Sequence, residues 1–174
     1  MNPEIELNLR KIERTSRVLR TLFTVLFIPV TVIAVAITVS VLAGWTAHIK
    51  FDGQTFVPSE LLLPARLYLS AIVVAMAVVL AKGLFHLRRL MGNYSRREIF
   101  TLDSARQIRQ FGVTCVLFGV IKIAGAFLPL MLASDTHRAV NLNADAMIIG
   151  VVIIGISWFA EMAAALREEN DLTV

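Results

Sequence analysis

Four long apolar stretches, separated by short polar segments, dominate the hydropathy pattern of the chain. They run from about 21 to 43, 65 to 85, 111 to 133 and 146 to 166. Each is long enough for an α-helix to cross the hydrocarbon core of a bilayer, which takes about 20 residues. None alternates apolar and polar residues as the strands of a membrane barrel do. The pattern predicts an all-α integral membrane four-helix bundle, formed as a single domain by residues 1–174.

The composition agrees with this prediction. Hydrophobic residues make up 57% of the chain and charged residues only 17%, whereas soluble domains are nearer half apolar and a quarter charged. A chain of 174 residues is also too short to bury so many apolar side chains in a water-soluble core.

The lysines and arginines are distributed unevenly between the two sides of the predicted spans. Segments 1–20, 86–110 and 167–174 contain twelve of them. The opposite side has three, which are Lys50, Arg66 and Arg138. Basic residues in short loops are retained on the cytoplasmic side of a membrane. The pattern therefore predicts that the N-terminus, the middle loop and the C-terminal tail are cytoplasmic.

The N-terminal segment has an amphipathic pattern of its own. Ile5, Leu9, Ile12 and Leu19 recur at helical spacing, and charged residues fill the positions between them. Such a pattern is typical of an amphipathic helix, which either lies on the membrane or runs straight into the first span. Its apolar face would serve as an interfacial anchor or as a partner-binding face.

The middle loop contains signals for a second short helix. Gly92–Asn93 predicts the end of the helix before it, and Thr101 or Asp103 is a candidate N-cap for the next one. Beyond the cap lie an apolar stripe, Ala105, Ile108 and Phe111, and two basic residues on the other side, Arg106 and Arg109. This short cytoplasmic helix is either a topology signal that also attracts lipid or a docking surface for an acidic partner.

Two ionisable residues lie inside the predicted spans. Lys122 is near the centre of the third span and Glu161 is in the inner third of the fourth. A lysine at the membrane centre costs about 2.5–3.5 kcal/mol, so its ammonium should face the bundle interior, a partner or water. Three interpretations remain open. The two residues form a structural ion pair, or they serve transport or proton coupling, or the lysine is neutral or extends to the interface.

The sequence contains no motif that would carry catalysis. A glycine-rich phosphate loop, a metal-binding cysteine pair and a nucleophile elbow are all missing. We therefore expect neither an enzyme nor a bound metal or cofactor, and no direct binding of nucleic acid. The lipid bilayer and other proteins are the expected partners.

The middle loop and the tail resemble a known family. The loop reads EIFT at Glu98–Thr101 and IRQFG at Ile108–Gly112, and the chain ends in EENDLTV at Glu168–Val174. With the four spans, these motifs resemble the DUF2975 family over essentially the whole chain. The resemblance implies a multi-pass protein of the prokaryotic inner membrane. Members are typically encoded beside a small helix-turn-helix regulator of the Xre type, so the implied role is to bind and sequester that regulator.

On this interpretation the loop and the tail form the docking surface. Its candidate residues are Arg96, Arg97, Glu98, Phe100, Thr101, Asp103, Arg106 and Arg109 in the loop and Glu168, Glu169, Asp171, Leu172, Thr173 and Val174 in the tail. Two alternatives remain open. One is a small transporter or channel subunit that works as a homo-oligomer around Lys122 and Glu161. The other is a structural subunit of a larger membrane complex.

Overall fold

Four helices make up nearly all of the fold that the structure describes. The computed structural model describes residues 3–46, 48–51, 54–96, 98, 101–127 and 144–171. The helices are α1 (Pro3–Leu42), α2 (Leu63–Ser95), α3 (Leu102–Ala126) and α4 (Asp145–Asp171). All four are long and apolar enough to cross a membrane. The prediction of an all-α protein with four candidate membrane spans is therefore confirmed.

A small β-hairpin and a single 3₁₀ turn connect α1 to α2. The hairpin pairs β1 (Ile49–Phe51) with β2 (Gln54–Phe56) in antiparallel register, and the turn covers Pro58–Glu60. The hydropathy pattern did not predict this hairpin, because strands of three residues are too short to give a periodic signal.

The structure gives three helix boundaries that the sequence left open or placed differently. The N-terminal amphipathic segment runs without a break into the first span, which is one of the two arrangements predicted for it, so α1 has 40 residues and is about 60 Å long. The loop helix and the third span are likewise one helix, which ends at Ala126; positions 128–133 of the predicted span lie outside the described residues. Finally, α2 continues past Gly92–Asn93 and ends at Ser95.

Each helix packs on the next one in the chain, so the four form an open row. α1 lies against α2, α2 against α3, and α3 against α4. Within the described ranges, α1 and α4 share no substantial interface, which distinguishes the row from the predicted bundle. In lipid the solvent is as apolar as the side chains, so no hydrophobic force closes such a row into a bundle.

The buried core is small and lies beside the 3₁₀ turn. Val41 on α1 packs there with Leu61 and with Leu69 on α2. Most other large apolar side chains point outward, and Ile28 and Phe159 are 65% and 73% exposed. An apolar surface of this extent would drive aggregation in water, whereas in a bilayer it contacts acyl chains.

Hydroxyl groups on the first span bond within their own helix. Thr31 Oγ1 donates to the carbonyl of Phe27 at 2.9 Å, and Thr38 Oγ1 donates to that of Ala34 at 2.7 Å. A hydroxyl with no partner is costly in hydrocarbon, and a bond to the carbonyl four residues earlier removes that cost. These threonines therefore fit a lipid-facing helix.

Glycines allow α3 and α4 to approach with their backbones nearly in contact. A Cβ added at Gly150 would lie 2.7 Å from the carbonyl oxygen of Gly112 and 2.7 Å from the amide nitrogen of Val116. A Cβ at Gly119 would lie 3.0 Å from the amide nitrogen of Met147. Membrane helices associate closely where small residues let their backbones meet. These three glycines define the α3–α4 seam.

Candidate docking site

The segments that carry most of the basic residues lie at one end of the helix row. If Gly92 on α2 carried a Cβ, that atom would lie 4.0 Å from the Arg20 guanidinium on α1. α3 starts beside the end of α2, and α4 runs antiparallel to α3 and extends past its start. We call this part of the molecule, residues 3–20, 85–96, 98, 101–110 and 161–171, the basic end.

The backbone carbonyl of Asn93 is the main hydrogen-bond acceptor at the C-terminus of α2. That oxygen accepts hydrogen bonds from the amide of Arg96 at 2.9 Å and from the amide of Glu98 at 3.0 Å. The hydroxyl of Ser95 satisfies the carbonyl of Gly92 at 2.7 Å. The carbonyls of Gly92 and Asn93 in the last turn of α2 are therefore both paired.

Thr101 starts α3 as its N-cap. Its Oγ1 accepts the amide of Ser104 at 3.2 Å, and Ser104 Oγ donates to the carbonyl of Glu98 at 2.9 Å. An N-cap of this type stabilises a helix by about 1 kcal/mol. Of the two caps that the sequence allowed, Thr101 is the observed one. The second bond ties the start of α3 to the preceding connection.

Asp103 joins the two helices through its carboxylate. Asn93 Nδ2 donates to Oδ2 at 2.8 Å, and the Arg89 guanidinium lies 3.3 Å from Oδ1. Asp103 lies in the polar first turn of α3, ahead of the apolar stretch. The hydrogen bond from Asn93 is the main reason that the pKa of this carboxyl is lowered; Gln107, Arg89 and Arg106 add to that effect and partial burial opposes it. The carboxylate is therefore charged and holds α2 against α3.

His86 and Gln107 extend this contact deeper between the helices. The side-chain amide of Gln107 directs Nε2 toward Asp103 at 3.4 Å and accepts at Oε1 from His86 Nδ1 at 2.9 Å. Because an amide oxygen only accepts, Nδ1 carries the imidazole proton. His86 Nε2 is buried without a hydrogen-bond partner among the described atoms.

Four predicted docking residues are exposed at the surface of the basic end. They are Arg96, Glu98, Arg106 and Arg109. On α3 the buried Ala105 and the half-buried Ile108 face the neighbouring helices, which confirms the predicted apolar stripe. These four charged side chains are therefore accessible to a partner, Arg96 and Glu98 just after α2 and Arg106 and Arg109 on α3.

The remaining predicted docking residues fall into three groups. Thr101 and Asp103 are half-buried and hold the connection together. Glu168, Glu169 and Asp171 lie on the last turns of α4, where Glu169 is exposed. Five lie outside the described residues, namely Arg97, Phe100, Leu172, Thr173 and Val174.

The structure does not bring Lys122 and Glu161 together. Gly119 faces Met147 across the seam, and continuing this antiparallel register puts Glu161 level with the first turn of α3. Lys122 lies roughly 18 residues further along α3, about 27 Å away at 1.5 Å per residue. An ion pair requires a separation of about 4 Å or less. Glu161 therefore belongs to the basic end, whereas Lys122 lies close to the other end of α3.

The sequence interpretation missed the role of Asn93. A signal for it was present, because Arg89 and Asn93 are one turn apart on α2, and Asp103 and Gln107 are one turn apart on α3. Residues four apart share a helix face, so two polar pairs on consecutive antiparallel helices were placed to meet. Reading Asn93 only as a helix stop overlooked that pairing.

No family model, curated protein or solved structure matches the chain.

Proposed function

We propose that this protein is a membrane-embedded docking protein that holds a small helix-turn-helix regulator at the inner face of a prokaryotic membrane. Regulator bound there is withdrawn from the pool that reaches DNA. The proposal joins the resemblance to the DUF2975 family with the positive-inside distribution of lysine and arginine.

The observation that carries the proposal is the set of hydrogen bonds that hold the start of α3 against the end of α2. Asn93 bonds to Asp103, Ser104 bonds to the carbonyl of Glu98, and Thr101 caps α3. A backbone that is already ordered loses less entropy when a partner binds. This part of α3 presents the exposed Arg106 and Arg109 to a partner.

Residues 3–19 of α1 project beyond the level at which Arg20 meets α2, over about 25 Å of helix, and lie outside the docking surface. One further segment extends that surface at the same end. The last turns of α4 add carboxylates, including the exposed Glu169. An acidic tail beside a basic loop presents both signs of charge, and complementary charge favours association with a selected partner. The carboxylates would suit the basic DNA-binding face of a regulator.

A transporter built on Lys122 and Glu161 has less support. The register separates them by about 27 Å along the helices. Within the described ranges, α1 and α4 also share no substantial interface that would close a path between the helices.

The proposal is tested by purifying the full chain from its own host in a mild detergent and identifying bound proteins by mass spectrometry. The loop variant combines Arg106→Glu and Arg109→Glu. Its control combines Lys11→Glu and Arg14→Glu, which reverse the same number of charges on the projecting part of α1. A second variant lacks residues 168–174.

We expect a small DNA-binding protein to copurify with the wild type and the control. The loop variant and the tail deletion should release that protein into the soluble fraction. Equal recovery with all four chains would refute the role assigned to the loop and the tail. Recovery of membrane subunits alone would favour a structural role in a larger complex.

A further inference from the structure

A cavity of about 500 Å³ opens at the basic end between α1 and α2. Four arginines line it, Arg20 from α1 and Arg88, Arg89 and Arg96 from α2. The acidic residues at its wall are Glu98 and Asp103. Arg96 and Glu98 are also candidate docking residues, whereas Arg20 and Arg88 have no part in the docking function proposed above.

The charges around the cavity are unbalanced. Asp103 pairs with Arg89 at 3.3 Å, and no ion pair with another described residue is found for Arg20, Arg88 or Arg96. Guanidinium groups gathered around one space repel each other. A bound anion would remove this repulsion, and phosphate is an anion that the planar guanidinium fork binds through two parallel hydrogen bonds.

The position of the cavity points to the source of that phosphate. Its wall includes Phe85, whose side chain is 55% exposed at the end of the apolar part of α2. The cavity therefore lies where an apolar surface gives way to arginines. That boundary is the level of lipid headgroups, where the phosphate of a phospholipid meets its acyl chains.

A glycine keeps the cavity open. Gly92 lines it, and a Cβ placed there would have the Arg20 side chain, at 4.0 Å, as its nearest neighbour. A larger side chain at this position would occupy the space next to the guanidinium without changing any charge.

We propose that this cavity binds the phosphate group of an anionic membrane phospholipid. Arg20 and Arg88 hold the phosphate, and Phe85 contacts the apolar part of the same lipid. The site is separate from the exposed docking residues Arg106 and Arg109. A substitution can therefore abolish lipid binding and leave partner binding intact, or the reverse.

The test is a titration of the purified full chain with phosphatidylglycerol, followed by native mass spectrometry that counts bound lipids. Phosphatidylcholine and inorganic phosphate are titrated in parallel. The wild type should bind phosphatidylglycerol most tightly. At about 1 kcal/mol for each basic residue near lipid, replacing both Arg20→Gln and Arg88→Gln should weaken its apparent affinity roughly 30-fold. Lys11→Gln with Arg14→Gln removes two charges outside the cavity and should leave the affinity within about twofold.

The variant Gly92→Leu, which changes no charge, distinguishes lipid binding inside the cavity from nonspecific electrostatic attraction of lipid. It retains every arginine and replaces a helix-destabilising glycine with a good helix former, yet it should lose phosphatidylglycerol binding as the double variant does. Equal weakening in the Lys11/Arg14 control would overturn the proposal, as would unchanged binding in Gly92→Leu. Arginine-dependent binding of inorganic phosphate with affinity equal to that of the lipid would overturn the lipid as its source.

Discussion

Substitution of Gly150 by alanine is the sharpest test of the α3–α4 seam. The added Cβ would lie 2.7 Å from the carbonyl oxygen of Gly112 and 2.7 Å from the amide nitrogen of Val116. Backbone atoms cannot rotate away, so the two helices must separate. Overpacking of this kind costs about 1–3 kcal/mol, and the higher helix propensity of alanine returns at most about 1 kcal/mol. We expect a net loss of about 1–2 kcal/mol.

Gly155 provides a matched control on the same helix. A Cβ placed there meets no atom within 4 Å, so Gly155→Ala should keep only the propensity gain and stabilise by up to about 1 kcal/mol. The free energy of unfolding is measured by titrating detergent micelles with dodecyl sulfate. Unfolding is followed by the maleimide reactivity of Cys115, the single cysteine of the chain, which is half-buried on α3. Equal stability of the two variants would refute the close approach of α3 and α4.

Three further predictions concern the connection and the intramembrane charges. Thr101→Ala should lower the free energy of unfolding by about 1 kcal/mol, whereas Thr101→Ser should keep most of that stability because only serine retains the cap. The two variants are compared by titration with dodecyl sulfate, and equal losses would contradict the cap. Asn93→Ala removes the main cause of the lowered pKa of Asp103. In the wild type this lowered pKa stabilises the folded state at pH values above the ordinary aspartate pKa. That stabilisation is lost as the pH falls through the lower pKa of Asp103 in the folded state. Unfolding of Asn93→Ala should therefore depend less on pH in that acid range, and an unchanged pH profile would contradict the assignment. Lys122→Met and Glu161→Gln should have additive effects on unfolding within about 0.5 kcal/mol, as expected for distant sites; a larger coupling in the double variant would show that they interact.

Hydropathy alone was enough to predict the number of spans. In lipid the length and apolarity of a stretch decide whether it is a membrane helix, so 65–85 and 146–166 were located within α2 and α4. The Thr101 cap and the stripe around Ala105 were also predictable, because both depend on local spacing.

Helix ends and helix packing were not predictable in the same way. Gly92–Asn93 predicted a stop because glycine often ends helices, yet α2 continues to Ser95. Tertiary bonds from Asn93 to Asp103 make the longer helix favourable. The open row and the glycine seam depend on which helix faces approach each other, and a single hydropathy profile does not contain that information.

The central claim is that the basic end faces the cytoplasm and docks a small DNA-binding regulator. The most direct test places a photo-crosslinking amino acid at Arg109, which is exposed on α3, in living cells of the host. A second chain has the crosslinker at Trp45, which is exposed just beyond the opposite end of α1. We expect an adduct with a small DNA-binding protein at position 109 and none at position 45. Crosslinks to that protein from position 45 alone, or only to membrane subunits from position 109, would contradict it.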